Sequence, residues 1–462
     1  MPTTPNTNLA AHLAEAGISH AALAHHVTRL AAARGLPRPA YNHASVARWL
    51  RGEQPRGPVP DLIAAALTAA LGRRVTRADL GLRPETPAAD LGLAYEADPG
   101  AALDAARDLY AADIHRRAAL ARGGYAAVAY VVPAIRWMTA PASALTERSG
   151  ARRVGAGSVD AIREVTATFR RLDNQFGGGY ARTTVVQYLA DEVAPLLRHG
   201  AYTAEVGRPL FAAAAETTLL AGWMAYDLEQ HAIAQRYLIQ ALRLAQEGGD
   251  DALGGEVLAA MSCQAAYLGE GADAVDMARC AALAARRASC AALESECLAT
   301  EAHGHALSGS PRSCADALAR AHRALDADSG ERPVWLAYFD GAYLAAKQGR
   351  ALLDAGDAAE AAAAMRASLG MQPGYERGRA FNLTVLASAL VERGELEEGC
   401  AYAAEAAGAA DELTSTRARQ ELAGFSRRIT TYRGAAPVRA LAASRPGLVS
   451  GSRAGRARPA GR

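Results

Sequence analysis

Residues 42 to 56 read NHASVARWLRGEQPR, and here the residue types and their spacing carry chemistry. On a helix Val46, Trp49 and Leu50 fall at i, i+3 and i+4 and form one apolar stripe that anchors it. Asn42, His43, Ser45, Arg48 and Arg51 then point elsewhere, which makes the outward face polar and cationic, a surface that suits a polyanion. The spacing predicts a helix that begins near Asn42 or His43, with Gly52 as its C-terminal stop.

Two further helices must hold this one in place. Ser19 can cap the segment HAALAHHVTRLAAARG, whose Leu23, Val27 and Leu30 share a face. After the turn GEQPRGPVP comes a third amphipathic helix, Asp61 to Leu71, with Asp61 near its cap. The stretch SVARWLRGEQP, Ser45 to Pro55, resembles the recognition helix of phage-repressor-like helix-turn-helix domains, with a comparable Trp, short basic segment, Gly and later Pro. The resemblance implies that the start of this helix enters a major groove, with Asn42, His43, Ala44 and Arg48 near base edges, Ser45 in the same contact set, and Arg51 and Arg56 near phosphates. An amide can read adenine and a guanidinium guanine. The interval from Leu23 to Trp49 is longer than in the compact family pattern, and a loop containing Pro37 and Pro39 replaces the tight turn.

Charge is distributed to match. The whole chain has 50 basic and 48 acidic residues, but the first 85 residues hold ten Arg against five acids, and the stretch from Arg427 onward nine Arg and no acid. The region between is acidic and would repel a polyanion. Lys347 is the only lysine, leaving little room for lysine-based catalysis. Gly155-Ala156-Gly157 lacks the third glycine of a dinucleotide fingerprint, and no phosphate-binding P-loop motif occurs. Gly177-Gly178-Gly179 reads as a flexible interhelical loop, and His25-His26 as a solvated helix face. The six cysteines form no C-x-x-C pair, and those at 263, 280, 297 and 314 read as small buried residues, reduced in the cytosol. No catalytic, cofactor or metal-binding residue is expected. The start lacks the pattern of a secretory signal, and the longest apolar run, Tyr125 to Ile135, is broken by Pro133 and too short for a bilayer. The expectation is a cytoplasmic protein with no membrane partner.

The length and the Ala-rich, aromatic-poor composition favour close-packed helices, an all-α chain in several parts. The parts expected are a head, 1–83, a linker, 84–99, a helical connecting region, 100–204, a solenoid of helical hairpins, 205–429, and a disordered Arg-rich tail, 430–462. Small residues recur seven apart in the second helix of each expected hairpin: Ala234/Ala241, Ala274/Ala281, Ala317/Ala324, Ala361/Ser368 and Gly399/Ala406. Bulk at those positions would pry neighbouring helices apart. With Gly222-Trp223, Tyr226 and the turns GDAAEA and GELEEG, this region resembles tetratricopeptide repeats, which implies an α-solenoid with a concave partner surface. Residues 414–429 would form a terminal capping helix.

Head and array together, with LDNQFGGGYAR and GWMAYD, resemble actinobacterial helix-turn-helix regulators with tetratricopeptide-like C-terminal regions, a group that includes regulators of sporulation and antibiotic production. The resemblance implies a regulator of transcription that binds double-stranded DNA, with a solenoid that takes a peptide or protein effector or forms a homodimer. The alternative is a tetratricopeptide-type adaptor or scaffold that binds no DNA and docks its basic head on the acidic solenoid or on a protein partner.

Overall fold

The computed structural model describes residues 5–33, 41–53, 55, 59–82, 91–121, 123–140, 148–150 and 152–449. The chain forms two compact units, Met1–Ala88 and Ala89–Arg462. The fold is all-α. Among the described residues the only named strands are Arg152–Arg153 and Gly200–Ala201, paired in parallel.

The first unit holds α1 (Thr7–Ala16), α2 (His20–Ala33), α3 (His43–Leu50) and α4 (Val59–Leu71). Caps fix their starts: Asn6 Oδ1 accepts from Leu9 N at 2.9 Å, and Ser19 Oγ accepts from Ala22 N at 3.2 Å. Gly17 ends α1 in the left-handed conformation, at φ +62°, which favours glycine. Leu9, Leu23, Val27, Val46, Ile63 and Leu67 make one small core.

The second unit opens with α5 (Pro99–Ala121), α6 (Val131–Thr139), α7 (Ala156–Phe176), α8 (Arg182–Tyr188) and α9 (Ala194–His199). Hairpins follow: α10 (Ala204–Asp227) with α11 (His231–Gly248), α12 (Asp251–Tyr267) with α13 (Gly271–Arg287), and α14 (Ala291–Leu307) with α15 (Pro311–Asp326). Next come α16 (Gly341–Asp354) with α17 (Ala358–Ser368) and α18 (Glu376–Glu392) with α19 (Leu396–Asp411). Last are α20 (Thr416–Ile429), α21 (Ala436–Ser444) and α22 (Pro446–Val449). The seven-apart small residues do lie on the second helices, and all but half-buried Ala324 are buried. At Gly399 an added Cβ would come within 3.1 Å of Val391 Cγ2, which shows how closely α18 and α19 approach.

Three expectations need correction. The linker expected over 84–99 is packed where it is described, since residues 91–97 lie along α11. Arg236 Nε donates to Leu91 O at 2.9 Å, Gln240 Nε2 to Gly92 O and Ala94 O at 2.9 Å each, and Tyr95 Oη to Gln246 Oε1 at 2.5 Å. The long polar side chains of α11 satisfy a segment that has no secondary structure of its own. Residues 83–90 lie outside the described residues. The tail expected to be disordered is helical through Val449, because Val438 and Leu441 find an apolar surface between α19 and α20. Residues 450–462 of that expectation lie outside the described residues, and α20 is not the terminal helix.

The third correction concerns Gly177-Gly178-Gly179, which ties distant segments together. Gly179 N donates to Thr414 O at 2.9 Å and Thr414 N to Phe176 O at 2.8 Å. Asp227 takes Gly178 N on one oxygen and Ser415 Oγ on the other, each at 2.9 Å. A Cβ on Gly178 would sit 2.7 Å from Met224 O, so only glycine lets these backbones meet. Gly178→Ala is expected to cost roughly 1–3 kcal/mol, read by chemical denaturation, with faster proteolysis around Thr414. Unchanged stability would show that the contact is not needed.

A buried ion pair pins α8 to α5. Arg182 Nη2 lies 2.5 Å from Asp113 Oδ2, with both side chains almost wholly buried, and Tyr237 Oη donates to the same carboxylate at 2.8 Å. Burial alone would raise Asp113, but Arg182 outweighs it and holds the carboxyl below its ordinary value. Asp113→Asn leaves Arg182 charged and unneutralised, with an expected loss of about 3–5 kcal/mol measured by urea unfolding. A loss below about 1 kcal/mol would mean the pair is not needed.

Candidate functional site

Two places gather chemistry, one in each unit. In the first, α3 is anchored from behind by Val46 and Trp49, both buried, with Tyr41 against the indole at a ring separation of 5.7 Å. Asn42, His43, Ala44, Arg48 and Arg51 are exposed on the other side. Asn42 is the N-cap: its Oδ1 accepts from Ser45 N at 3.1 Å, which leaves the amide nitrogen for other partners. Ser45, expected on the outward face, is instead buried at 7% exposure beside that cap, because it lies one position from the Val46 stripe. Arg48 Nε lies 3.5 Å from Glu53, an exposed pair worth little in water and easily exchanged. Arg56 lies outside the described residues.

In the second unit the first helix of each hairpin faces inward, and together with α7 and α20 they enclose a cavity of about 400 Å³. Its wall repeats a spacing: Glu256, Cys263 and Tyr267 on α12, Glu296, His303 and Leu307 on α14, and Tyr343, Arg350 and Asp354 on α16 all fall at i, i+7 and i+11. That spacing is one helical stripe. Sequence reasoning missed this site, although the stripe of polar and aromatic residues was there to find. Trp223 and Tyr226 from GWMAYD, and Asp173 and Asn174 from LDNQFGGGYAR, also line it. Cys263 departs from the reading of a merely small buried residue, since its sulfur accepts from Lys347 Nζ at 3.4 Å inside the cavity.

Most charges in the wall are paired. Lys347 Nζ lies 3.1 Å from Glu296 Oε1, Arg377 Nη1 lies 2.9 Å from Asp173 Oδ2, and Arg350 bridges Asp354 at 2.9 Å and Glu421 at 2.5 Å. Tyr338 Oη stands 2.8 Å from Glu296 and 3.1 Å from Glu256. Burial, with the Glu296 carboxylate beside it, pushes Glu256 above the ordinary range, and its Oε2 has no partner. Burial would lower Lys347, but Cys263, Glu296 and Tyr343 outweigh it and hold the ammonium well above its usual value. Asp173 is pushed up to about 6 by burial and by Asp227, against the pull of Arg377. At Asp354 burial is outweighed by the hydrogen bond from His303 and by Arg350, and its carboxyl falls to about 2.

The molecule so far belongs to a class, an all-α chain with a small helical head and a solenoid that encloses an internal cavity. Residues 9–83 match the family described as the SP15 N-terminal domain, a similarity confined to the head. No curated protein matches the chain.

His231 packs beside this cavity against Tyr226 and Tyr267. Burial, helped by Arg417, lowers its imidazole to about 4 from the ordinary 6.5. The folded chain keeps this ring neutral where the unfolded chain takes a proton, so stability falls as pH drops from 6.5 to about 4. His231→Gln should flatten the fall in Tm over that window by an amount worth roughly 1 kcal/mol, discounted for partial exposure. Parallel Tm curves for the two proteins would show that His231 does not set the slope.

Proposed function

We propose that the chain is a cytoplasmic, sequence-specific DNA-binding regulator of transcription, not an enzyme, whose helical array takes a peptide or protein effector or forms a homodimer. The observation that carries the reading is α3, with Trp49 buried at 4% exposure behind it and His43, Ala44, Arg48 and Arg51 exposed in front. A short amphipathic helix with a cationic outer face has the size and charge to enter a major groove. The Arg excess of the head supports a counterion-release contribution. The similarity of residues 9–83 to a named N-terminal domain supports the head as a module in its own right. That no helix among the described residues is long and apolar enough to cross a membrane is compatible with this setting. By the resemblance drawn above, sporulation and antibiotic production are the processes it would regulate.

The test is selection of genomic fragments by the full chain, followed by band shifts at several salt concentrations. Arg48→Ala should cost about 1–3 kcal/mol on the selected site and relax its sequence preference. Arg51→Ala and Arg56→Ala should weaken selected and random DNA alike and reduce the salt slope by about 1 each. Equal losses on all DNA from the three variants would end the assignment of base reading to Arg48. Absence of any salt-dependent shift would favour the non-DNA-binding adaptor.

A further inference from the structure

The guanidinium of Arg417, on α20, reaches the cavity between two aromatic faces, 4.1 Å from the centroid of Tyr226 and 4.6 Å from that of Phe381. Tyr267 and Trp223 complete the box at 5.3 and 5.8 Å. Cation–π contact with the rings leaves the five N–H donors along the edge of the group still to be satisfied. Among the described residues that edge has no hydrogen-bond or ion-pair partner, and Nε is buried with no acceptor. Of the carboxyls in the wall, Asp173 is paired with Arg377, Glu296 with Lys347, and Asp354 and Glu421 with Arg350, while Glu256 accepts from Tyr338 Oη at 3.1 Å. A buried N–H without an acceptor is costly, and a carboxylate is the planar anion that matches the Nε–Nη edge of a guanidinium with two parallel bonds.

From the box and this unpartnered N–H we infer that the cavity binds a small organic carboxylate with a flat apolar body, its carboxylate on Arg417 and its body along the aromatic wall. The volume, about 400 Å³, falls in the range of small-molecule pockets. The same chemistry is offered by the C-terminus of a short peptide, and the experiment separates the two sources. The inference rests on reading the array as the sensing part of the chain, but binding is measured without DNA, so failure of either reading leaves the other standing.

The full-length chain is titrated calorimetrically with 1-naphthylacetate, its uncharged amide and 2-(1-naphthyl)ethylamine, which share one body and differ in charge. The carboxylate should bind at least tenfold more tightly than the amide, and the amine more weakly than both. Arg417→Gln should bring carboxylate affinity down to that of the amide while leaving amide affinity in place, and Arg366→Gln, an exposed position paired with Glu398, should change neither. If Arg417→Gln does not fold, Arg417→Lys serves instead and should give an intermediate loss. A short peptide with a free C-terminus and the same peptide amidated form the second arm. Tighter binding of the free peptide than of 1-naphthylacetate assigns the carboxylate to a chain end, and the reverse order to a small acid. Equal affinities for acid, amide and amine, or no heat from any acid at about millimolar concentration, would overturn the inference.

Discussion

Asp227 has no exposed surface, and each of its carboxylate oxygens accepts one hydrogen bond from a segment far away in the sequence. One comes from the turn after α7 and the other from the turn before α20. A hairpin array left to itself would end in open space, because each pair contacts only its neighbours. Here the two turns share one buried acceptor, which holds α7, α10 and α20 together at the cavity. The charge of Asp227 is tolerable because a backbone N–H, a hydroxyl and Arg377, at 3.9 Å, surround it.

The interior formed in this way is chemically unusual for a repeat protein built largely of alanine. The outer helices use small residues to pack closely, and the inner helices present tyrosines, tryptophans and ionisable groups to a common space. Most ionisable groups there are held by a neighbour that offsets their loss of water, and Glu256 Oε2 and Arg417 Nε, which have no partner, are places where a bound molecule would complete the pattern.

Helices were legible in the sequence wherever one face was apolar and the other polar. The seven-apart small residues located the second helix of every hairpin, and Trp49 with Val46 and Leu50 gave the packed side of α3. Ser45 was misplaced because a single turn of helix does not fix whether a small residue beside the stripe turns in or out, and a cap decided it. The linker and the glycine run were misread for one reason: both lack periodicity, and their order comes from partners more than 140 residues away, the α11 side chains for residues 91–97 and the Thr414 segment for the glycines. The cavity was missed because its stripes run through helices buried on nearly every side, where the usual contrast between wet and dry faces disappears. The tail was misread because Val438 and Leu441 are few and look insufficient until α19 and α20 supply the other half of their core.

Lys347 is the chain's single lysine, and it lies in the wall of the cavity. A lysine-specific protease therefore has one bond to cut in the entire molecule, and an amine-directed label has one side chain to modify. Cleavage there, or labelling of that side chain read apart from the α-amine, would report how often α16 opens, so the composition of the chain has placed a gauge of its own breathing in the cavity wall.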